Sequence, residues 1–123
     1  MKSSAHIIGA GGIGIASATC LIRAGWDVSI VDSNPRKIAA GCRDEMTLDG
    51  EFIHGAHFIH FDEWVPPTDE VVLLCTKTFD NAPVLERIAN TQTLVPIQNG
   101  YDRMLEECDH PAEAIASFVS ECP

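Results

Sequence analysis

Short apolar runs alternate along the chain with stretches of helical periodicity. The run EVVLLC, at residues 70–75, is continuous and typical of an interior strand of a parallel sheet. The predicted strands are 5–9, 27–31, 70–75, 93–97 and 114–119, and the predicted helices are 13–24, 35–43, 82–89 and 100–108. Because strands and helices alternate, the pattern predicts an α/β fold with a doubly wound parallel sheet and right-handed crossovers.

Residues 46–61 interrupt this alternation. They contain strand-like pieces around the turn-forming residues Asp49-Gly50 and Gly55, which predict a small β-hairpin or edge strands. No repeat or linker divides the chain, and a length of 123 residues suits one domain.

Composition and charge argue against several partners. The chain has 8 Lys+Arg against 18 Asp+Glu, with no basic cluster, so we expect neither nucleic acid nor an anionic membrane as a partner. Residues 3–22 are uncharged, but their central glycines make them a poor membrane span. The five cysteines are scattered and form no CxxC pair, which favours reduced thiols and a cytoplasmic location over a disulfide framework or a zinc site.

A G-x-G-x-x-G motif lies between the first predicted strand and the first predicted helix. The context indicates a dinucleotide-binding loop, because the helix N-terminus attracts a pyrophosphate. In this interpretation Gly9 permits the tight turn, Gly11 leaves room for the pyrophosphate, and Gly14 lets the helix pack closely. The motif predicts a Rossmann-type dinucleotide-binding domain over residues 1–123; the alternative is a glycine-rich turn that binds nothing. The loop residues are Gly9, Ala10, Gly11, Gly12, Ile13 and Gly14.

A carboxylate follows at the end of the second predicted strand. Asp32 lies where an acidic residue accepts hydrogen bonds from the adenosine ribose 2′-hydroxyl, and it would repel a 2′-phosphate. This position favours NAD(H) over NADP(H). The alternative is a solvated Asp, and NADP(H) stays open because Arg36 and Lys37 lie close enough to reach a 2′-phosphate.

Polar clusters follow two later strands. Thr76-Lys77-Thr78 comes after 70–75, and Gln98-Asn99-Gly100 comes after 93–97. Open α/β sheets bind ligands at the carboxyl ends of their strands, so Lys77 would offer a cation and Asn99 an amide to the same crevice. The alternatives are a surface lysine and a turn asparagine.

The segments GAGGIG, AGWDVSIVD, VVLLCTKTFDN and LVPIQNG, in this order, resemble the N-terminal domain of the ketopantoate reductase (2-dehydropantoate 2-reductase) family. The resemblance implies NAD(P)H-dependent reduction of a small 2-oxo acid, 2-dehydropantoate, to pantoate in pantothenate and coenzyme A biosynthesis. It implies that the glycine loop holds the pyrophosphate and that Lys77 lies near cofactor and substrate. Asn99 would bind the nicotinamide-side ribose and help place the substrate. Thr76 and Glu121 are also expected beside the cofactor.

The chain departs from the family pattern in two ways. Family members commonly carry an Arg that grips the NADP 2′-phosphate where this chain has Ser33, so Ser33 and Asp32 favour NAD. The family's catalytic lysine and a substrate-binding acid come from a helical C-terminal domain, which we expect to be absent from these residues. We therefore expect the chain to bind cofactor without turnover and to contain no catalytic residue of its own. An uncovered sheet edge would favour a homodimer.

Two other functions stay open. HIIGAGGIG and IVDSNP also suit a stand-alone nucleotide-sensing regulatory Rossmann module, such as those of potassium-transport systems. Such modules typically carry a Gly-Asp-Ala-type contact after the third strand and lack the Lys77 and Asn99 clusters. The second alternative is the N-terminal domain of another 2-oxo or hydroxy acid dehydrogenase, because the glycine loop does not choose among substrates.

The remaining candidates for chemistry are histidines and a cysteine. His54, His57 and His60 are spaced by three, which on a helix would suit a metal, but their context favours strands and surface or hairpin histidines. We therefore expect no metal. Cys75 ends an apolar strand and is expected to be a small core residue.

Overall fold

A five-stranded parallel sheet forms the centre of the computed structural model, which describes residues 3–44, 46–48, 50–66, 70–76, 81–87 and 93–97. Its strands, in chain order, are β1 (Ser4–Ile8), β2 (Asp27–Asp32), β5 (Ala56–His60), β6 (Val71–Leu74) and β7 (Thr93–Pro96). The helices are α1 (Gly12–Arg23), α2 (Pro35–Asp44) and α3 (Asn81–Arg87). These elements begin within one residue of the predicted positions, except β5, whose segment was predicted only as hairpin or edge strands. The predicted helix 100–108 and strand 114–119 lie outside the described residues.

The strand order β5-β2-β1-β6-β7 confirms the doubly wound, Rossmann-type sheet. The chain starts at the centre with β1, moves outward through β2 and β5, and then crosses to β6 and β7 on the other side. The order therefore reverses between β1 and β6. Ligands of open α/β sheets bind at the carboxyl ends of the strands beside such a switch point. The glycine loop follows β1 at this position.

Alternation along the strands divides the core into two layers, one on each face of the sheet. Ile7 points to the layer that α1 covers, where Ala18 is fully buried, while Ile8 belongs to the opposite layer with Val84 of α3. The pleat causes this separation, because successive side chains point to opposite faces. β6 is apolar on both faces, as the continuous run at 70–75 predicted, because each of its faces packs into one of these layers.

The segment 46–61 supplies a hairpin and also an edge strand of the main sheet. β3 (Met46–Leu48) and β4 (Glu51–Ile53) pair antiparallel, and Gly50 between them has a φ of +81°. The hairpin prediction is confirmed over these residues. β5 pairs parallel with β2 and is the outermost strand on that side of the described sheet. No helix among the described residues is both long and apolar enough to cross a membrane.

Hydrogen bonds, a histidine–carboxylate contact and a cation–π contact fix the segment between β5 and β6. The Trp64 indole N–H donates to His6 Nδ1 at 2.9 Å, and His6 Nε2 lies 2.6 Å from a Glu70 carboxylate oxygen. The Arg87 guanidinium lies 4.4 Å from the centre of the Phe61 ring and donates to the Phe61 carbonyl. The histidine side chain is only 14% exposed, and the partners on both of its ring nitrogens offset the cost of its desolvation.

Candidate functional site

Two glycines of the loop are required by the fold itself. Gly9 has a φ of +108°, and a Cβ there would lie 3.0 Å from the carbonyl of Cys75 at the end of β6. A Cβ on Gly14 would lie 1.8 Å from the Gly9 carbonyl oxygen. Both distances involve backbone atoms, so a side chain at either position would push the loop away from β1 or β6. The proposed roles of Gly9 in the turn and Gly14 in close packing agree with this geometry.

The other two loop glycines face open space. A Cβ on Gly11 or Gly12 would meet no atom within 4 Å. Gly11 precedes α1 in an extended conformation, with φ −81° and ψ −172°, and no side chain caps the helix. The first turn of α1 also contains no acidic residue. The N–H groups and the positive dipole end of α1 are thus left for a bound anion, while the missing side chains leave room for its approach.

The Asp32 carboxylate is hydrogen-bonded to this loop. Its Oδ2 accepts the Ala10 N–H at 2.8 Å, and its Oδ1 accepts the Asn34 N–H at 2.7 Å. A carboxylate has about four lone-pair positions, so both oxygens keep the capacity to accept a further donor such as a hydroxyl. The two bonds hold the carboxylate beside the glycine loop, at the ends of β1 and β2. Asn34 in turn caps α2, because its Oδ1 accepts the Arg36 N–H at 3.0 Å.

Ser33, the residue after Asp32, is hydrogen-bonded to a side chain of the neighbouring strand β5. His60 lies opposite Asp32 in the β2–β5 register, and its Nε2 is 2.9 Å from the Ser33 carbonyl oxygen. The Asp62 N–H donates to His60 Nδ1 at 3.2 Å. The sequence pattern indicated a surface or hairpin histidine at His60, with a metal ligand as the less favoured alternative, and did not reveal this contact. In the sequence, His60 stands at the end of a strand-like segment. That position points to Ser33 only once β5 is known to pair with β2.

The end of β6 forms the other wall of the loop. The Cys75 N–H donates to the Ile8 carbonyl at 2.8 Å, and a Cβ on Gly9 would lie 3.1 Å from the Thr76 nitrogen. Thr76 therefore adjoins the glycine loop. Burial raises the pKa of the Cys75 thiol to about 11, and a hydrogen bond with Ser17 partly offsets this increase. At neutral pH the thiol is neutral and so is not a nucleophile, in keeping with its predicted place in the core.

The structure brings most of the predicted candidates to one edge of the sheet. The glycine loop, Asp32, Ser33 and Thr76 lie together there, while Arg36 and Lys37 are exposed on the first turn of α2. The predicted positions Lys77, Asn99 and Glu121 lie outside the described residues.

The three histidines do not converge. His54 lies between β4 and β5, His57 is 3.4 Å from Asp27 at the start of β2, and His60 lies at the other end of β5. Within the part of the chain that the structure describes, no three His, Cys, Asp or Glu side chains are grouped as metal ligands.

Several solved structures that share this fold are oxidoreductases. A D-mandelate dehydrogenase in a ternary complex with NADH and anilino(oxo)acetate superposes with a TM-score of 0.71 at 16% identity, covering 85% of this chain and 37% of the other. A glycerol-3-phosphate dehydrogenase from Coxiella burnetii gives a TM-score of 0.59 at 17% identity, covering 88% and 37%. An imine reductase from Pseudomonas sp. gives 0.57 at 18% identity, covering 86% and 35%. The chain thus spans little more than a third of the length of these proteins.

Sequence comparison identifies the family. No curated protein sequence matches the chain significantly. The profile described as ketopantoate reductase PanE/ApbA, however, matches residues 5–120, which is nearly the whole chain. The match includes the glycine loop, Asp32 and both polar clusters that the resemblance rested on. The chain therefore belongs to the ketopantoate reductase family, and its residues 5–120 correspond to the N-terminal NAD(P)-binding domain.

Proposed function

We propose that this chain binds NADH and serves as the cofactor domain of an NAD(P)H-dependent reductase of 2-dehydropantoate, a small 2-oxo acid. One observation carries the proposal: the open glycine loop at the start of α1 is hydrogen-bonded to the carboxylate of Asp32. An anion site and a hydroxyl acceptor thereby lie side by side, and they match the two polar parts of an adenine dinucleotide.

The residues present fit such a cofactor. The α1 amides next to Gly11 and Gly12 would hold the pyrophosphate, since a Cβ at either glycine meets only open space. Asp32 would accept the adenosine ribose hydroxyls through the lone pairs that Ala10 and Asn34 leave unused. Ser33 and Thr76 would flank the cofactor. When bound, the dinucleotide supplies the hydride that the reduction requires.

Family membership supports the proposed substrate class. A D-mandelate dehydrogenase that shares the fold has a ternary structure with NADH and anilino(oxo)acetate. Mandelate is a 2-hydroxy acid, so a 2-oxo acid suits the same framework. Lys77 would place a cation beside the oxygen on which charge develops during reduction. Asn99 would bind the nicotinamide-side ribose and the substrate, and Glu121 would lie near the nicotinamide. We further propose a cytoplasmic location, which the scattered cysteines favour, and a homodimer formed through β5, the outermost strand on one side of the described sheet.

Calorimetric titration of the chain with NADH, and separately with NADPH, tests the proposal. Binding is a better test than turnover, because the chain spans 37% of the length of the mandelate enzyme. We expect NADH to bind more tightly than NADPH and Asp32→Ala to reduce this preference. Asp27→Ala is the matched control, since Asp27 has the same charge and lies at the opposite end of β2.

Each result has a clear consequence. Loss of the NADH preference in Asp32→Ala, with Asp27→Ala unchanged, supports the assignment of the ribose to Asp32. Tighter NADPH binding by the wild-type chain would show that Arg36 or Lys37 recognises a 2′-phosphate, which would overturn the NADH assignment. Absence of binding of either nucleotide would overturn the proposed function.

A further inference from the structure

The turn that follows Asp32 is tied to the neighbouring strand by one side chain. His60 Nε2 and the Ser33 carbonyl oxygen are 2.9 Å apart, although the residues lie 27 positions apart in the sequence. The ring is a quarter exposed, with a side-chain exposure of 25%. It thus occupies the edge of the sheet between β5 and the segment Asp32–Asn34, next to the proposed ribose site.

The partners of His60 determine the form of its ring. A carbonyl oxygen only accepts hydrogen bonds, so Nε2 must carry the proton that it donates to Ser33. A backbone N–H only donates, and the Asp62 N–H lies 3.2 Å from Nδ1, so Nδ1 acts as its acceptor; the Asp62 carboxylate lies farther from Nδ1, at 3.7 Å. These partners match the tautomer with hydrogen on Nε2. In this form the imidazole connects the Ser33 carbonyl to the 3₁₀ turn Phe61–Glu63.

The peptide group that contains the Ser33 carbonyl also helps to orient the Asp32 carboxylate. The Asp32 carboxylate bonds forward to the Asn34 N–H at 2.7 Å and back to the Ala10 N–H at 2.8 Å. Rotation of the peptide group that Ser33 and Asn34 share would move the Asn34 N–H away from Oδ1. By binding the carbonyl of that same peptide group, His60 opposes this rotation.

We propose that His60 is a positioning residue for adenosine-ribose recognition: it holds the Ser33–Asn34 peptide so that the Asp32 carboxylate faces the 2′-hydroxyl. The inference rests on the proposed function, since it concerns the same nucleotide site. In this role His60 acts through Asp32. Through His60, the edge strand β5 contributes to the proposed nucleotide site at the ends of β1 and β2.

The test compares NADH with the NADH analogue that lacks the adenosine 2′-hydroxyl, using the 123-residue chain and three variants. His60→Ala removes both hydrogen bonds. His60→Gln retains an amide N–H close to the position of Nε2 and can restore the bond to Ser33. His57→Ala is the control, because His57 lies on the same strand but faces Asp27 at its other end. Thermal melting of each variant reports its folding.

We expect His60→Ala to lower the affinity for NADH by about 3- to 10-fold, the range for one lost hydrogen bond. The affinity for the analogue should fall by less than about 2-fold, because the analogue lacks the hydroxyl that would donate to Asp32. His60→Gln should restore most of the affinity for NADH, and His57→Ala should match the wild type.

Equal weakening of both ligands in His60→Ala would show a merely structural role and overturn the inference, as would unchanged affinity for NADH. If His60→Ala does not fold, failure of His60→Gln to retain the preference for NADH over the analogue overturns it as well. A wild-type chain that binds neither ligand refutes the proposed function itself, which distinguishes the two failures.

Discussion

Substitution of Gly14 by Ala separates the folding role of the glycine loop from its binding role. The new Cβ would lie 1.8 Å from the Gly9 carbonyl oxygen, and ordinary contact begins at 3.4 Å. Backbone atoms would therefore have to move by about 1.6 Å, and Gly9 cannot yield easily because Cys75 packs against it. Overpacking typically costs about 1–3 kcal/mol and occasionally more, and a clash this deep with backbone belongs at the upper end, about 2–4 kcal/mol, whereas Ala in a helix recovers about 1 kcal/mol. We expect a net destabilisation of about 1–3 kcal/mol.

Gly11→Ala is the matched comparison, because its Cβ meets nothing within 4 Å and its backbone is extended. Replacement of a glycine N-cap by Ala costs roughly 0.5–1 kcal/mol, and the stiffer unfolded chain offsets about 0.4–1 kcal/mol. We expect unchanged stability but at least about 10-fold weaker NADH binding, since the methyl group occupies the proposed pyrophosphate position.

Thermal melting and calorimetric titration of both variants measure these effects. For a chain of this size, the expected cost in Gly14→Ala corresponds to a Tm lower by about 4–12 °C. A Gly14→Ala chain as stable as the wild type would refute the packing argument. A Gly11→Ala chain that binds NADH normally would refute the place given to the pyrophosphate.

Three further predictions concern the rest of the described chain. Burial raises the pKa of Cys75 to about 11, so iodoacetamide at pH 7.5 should label it far more slowly than the exposed Cys42. The unfolded thiol ionises first, so stability should fall between about pH 9 and pH 11 by up to about 3 kcal/mol, and comparison of urea titrations with Cys75→Ala isolates this loss. Trp64→Phe should destabilise the fold by about 1–2 kcal/mol in urea titration, because the buried acceptor on His6 loses its donor; no change would contradict this role. Arg23→Ala should change the unfolding free energy by less than about 0.5 kcal/mol, because its ion pair with the hairpin is exposed; a larger loss would show a coupled network.

Local pattern was sufficient to predict the described elements of this fold, apart from the place of β5 in the main sheet. The apolar runs, Gly25 with its φ of +89° and the glycine loop each act over a few neighbouring residues, so their consequences are visible in the sequence. The contacts that complete the structure join distant positions. Trp64 and His6 are 58 residues apart, and nothing in either local sequence indicates the other. The same limit concealed His60, whose partner Ser33 became apparent only when β5 was paired with β2.

The sequence predicted the place of Asp32 but not its orientation, and the orientation bears on cofactor choice. A free carboxylate at a strand end could turn away from a 2′-phosphate, whereas this one accepts two backbone N–H groups at 2.7 and 2.8 Å. Each hydrogen bond to a charged group contributes about 1.5–3 kcal/mol, so moving the carboxylate away would forfeit several kcal/mol. Arg36 and Lys37 are exposed and gain little from a solvated phosphate by comparison. We therefore expect NADH to bind at least about 10-fold more tightly than NADPH. The two hydrogen bonds that hold the Asp32 carboxylate in place, more than its negative charge alone, should cause this preference.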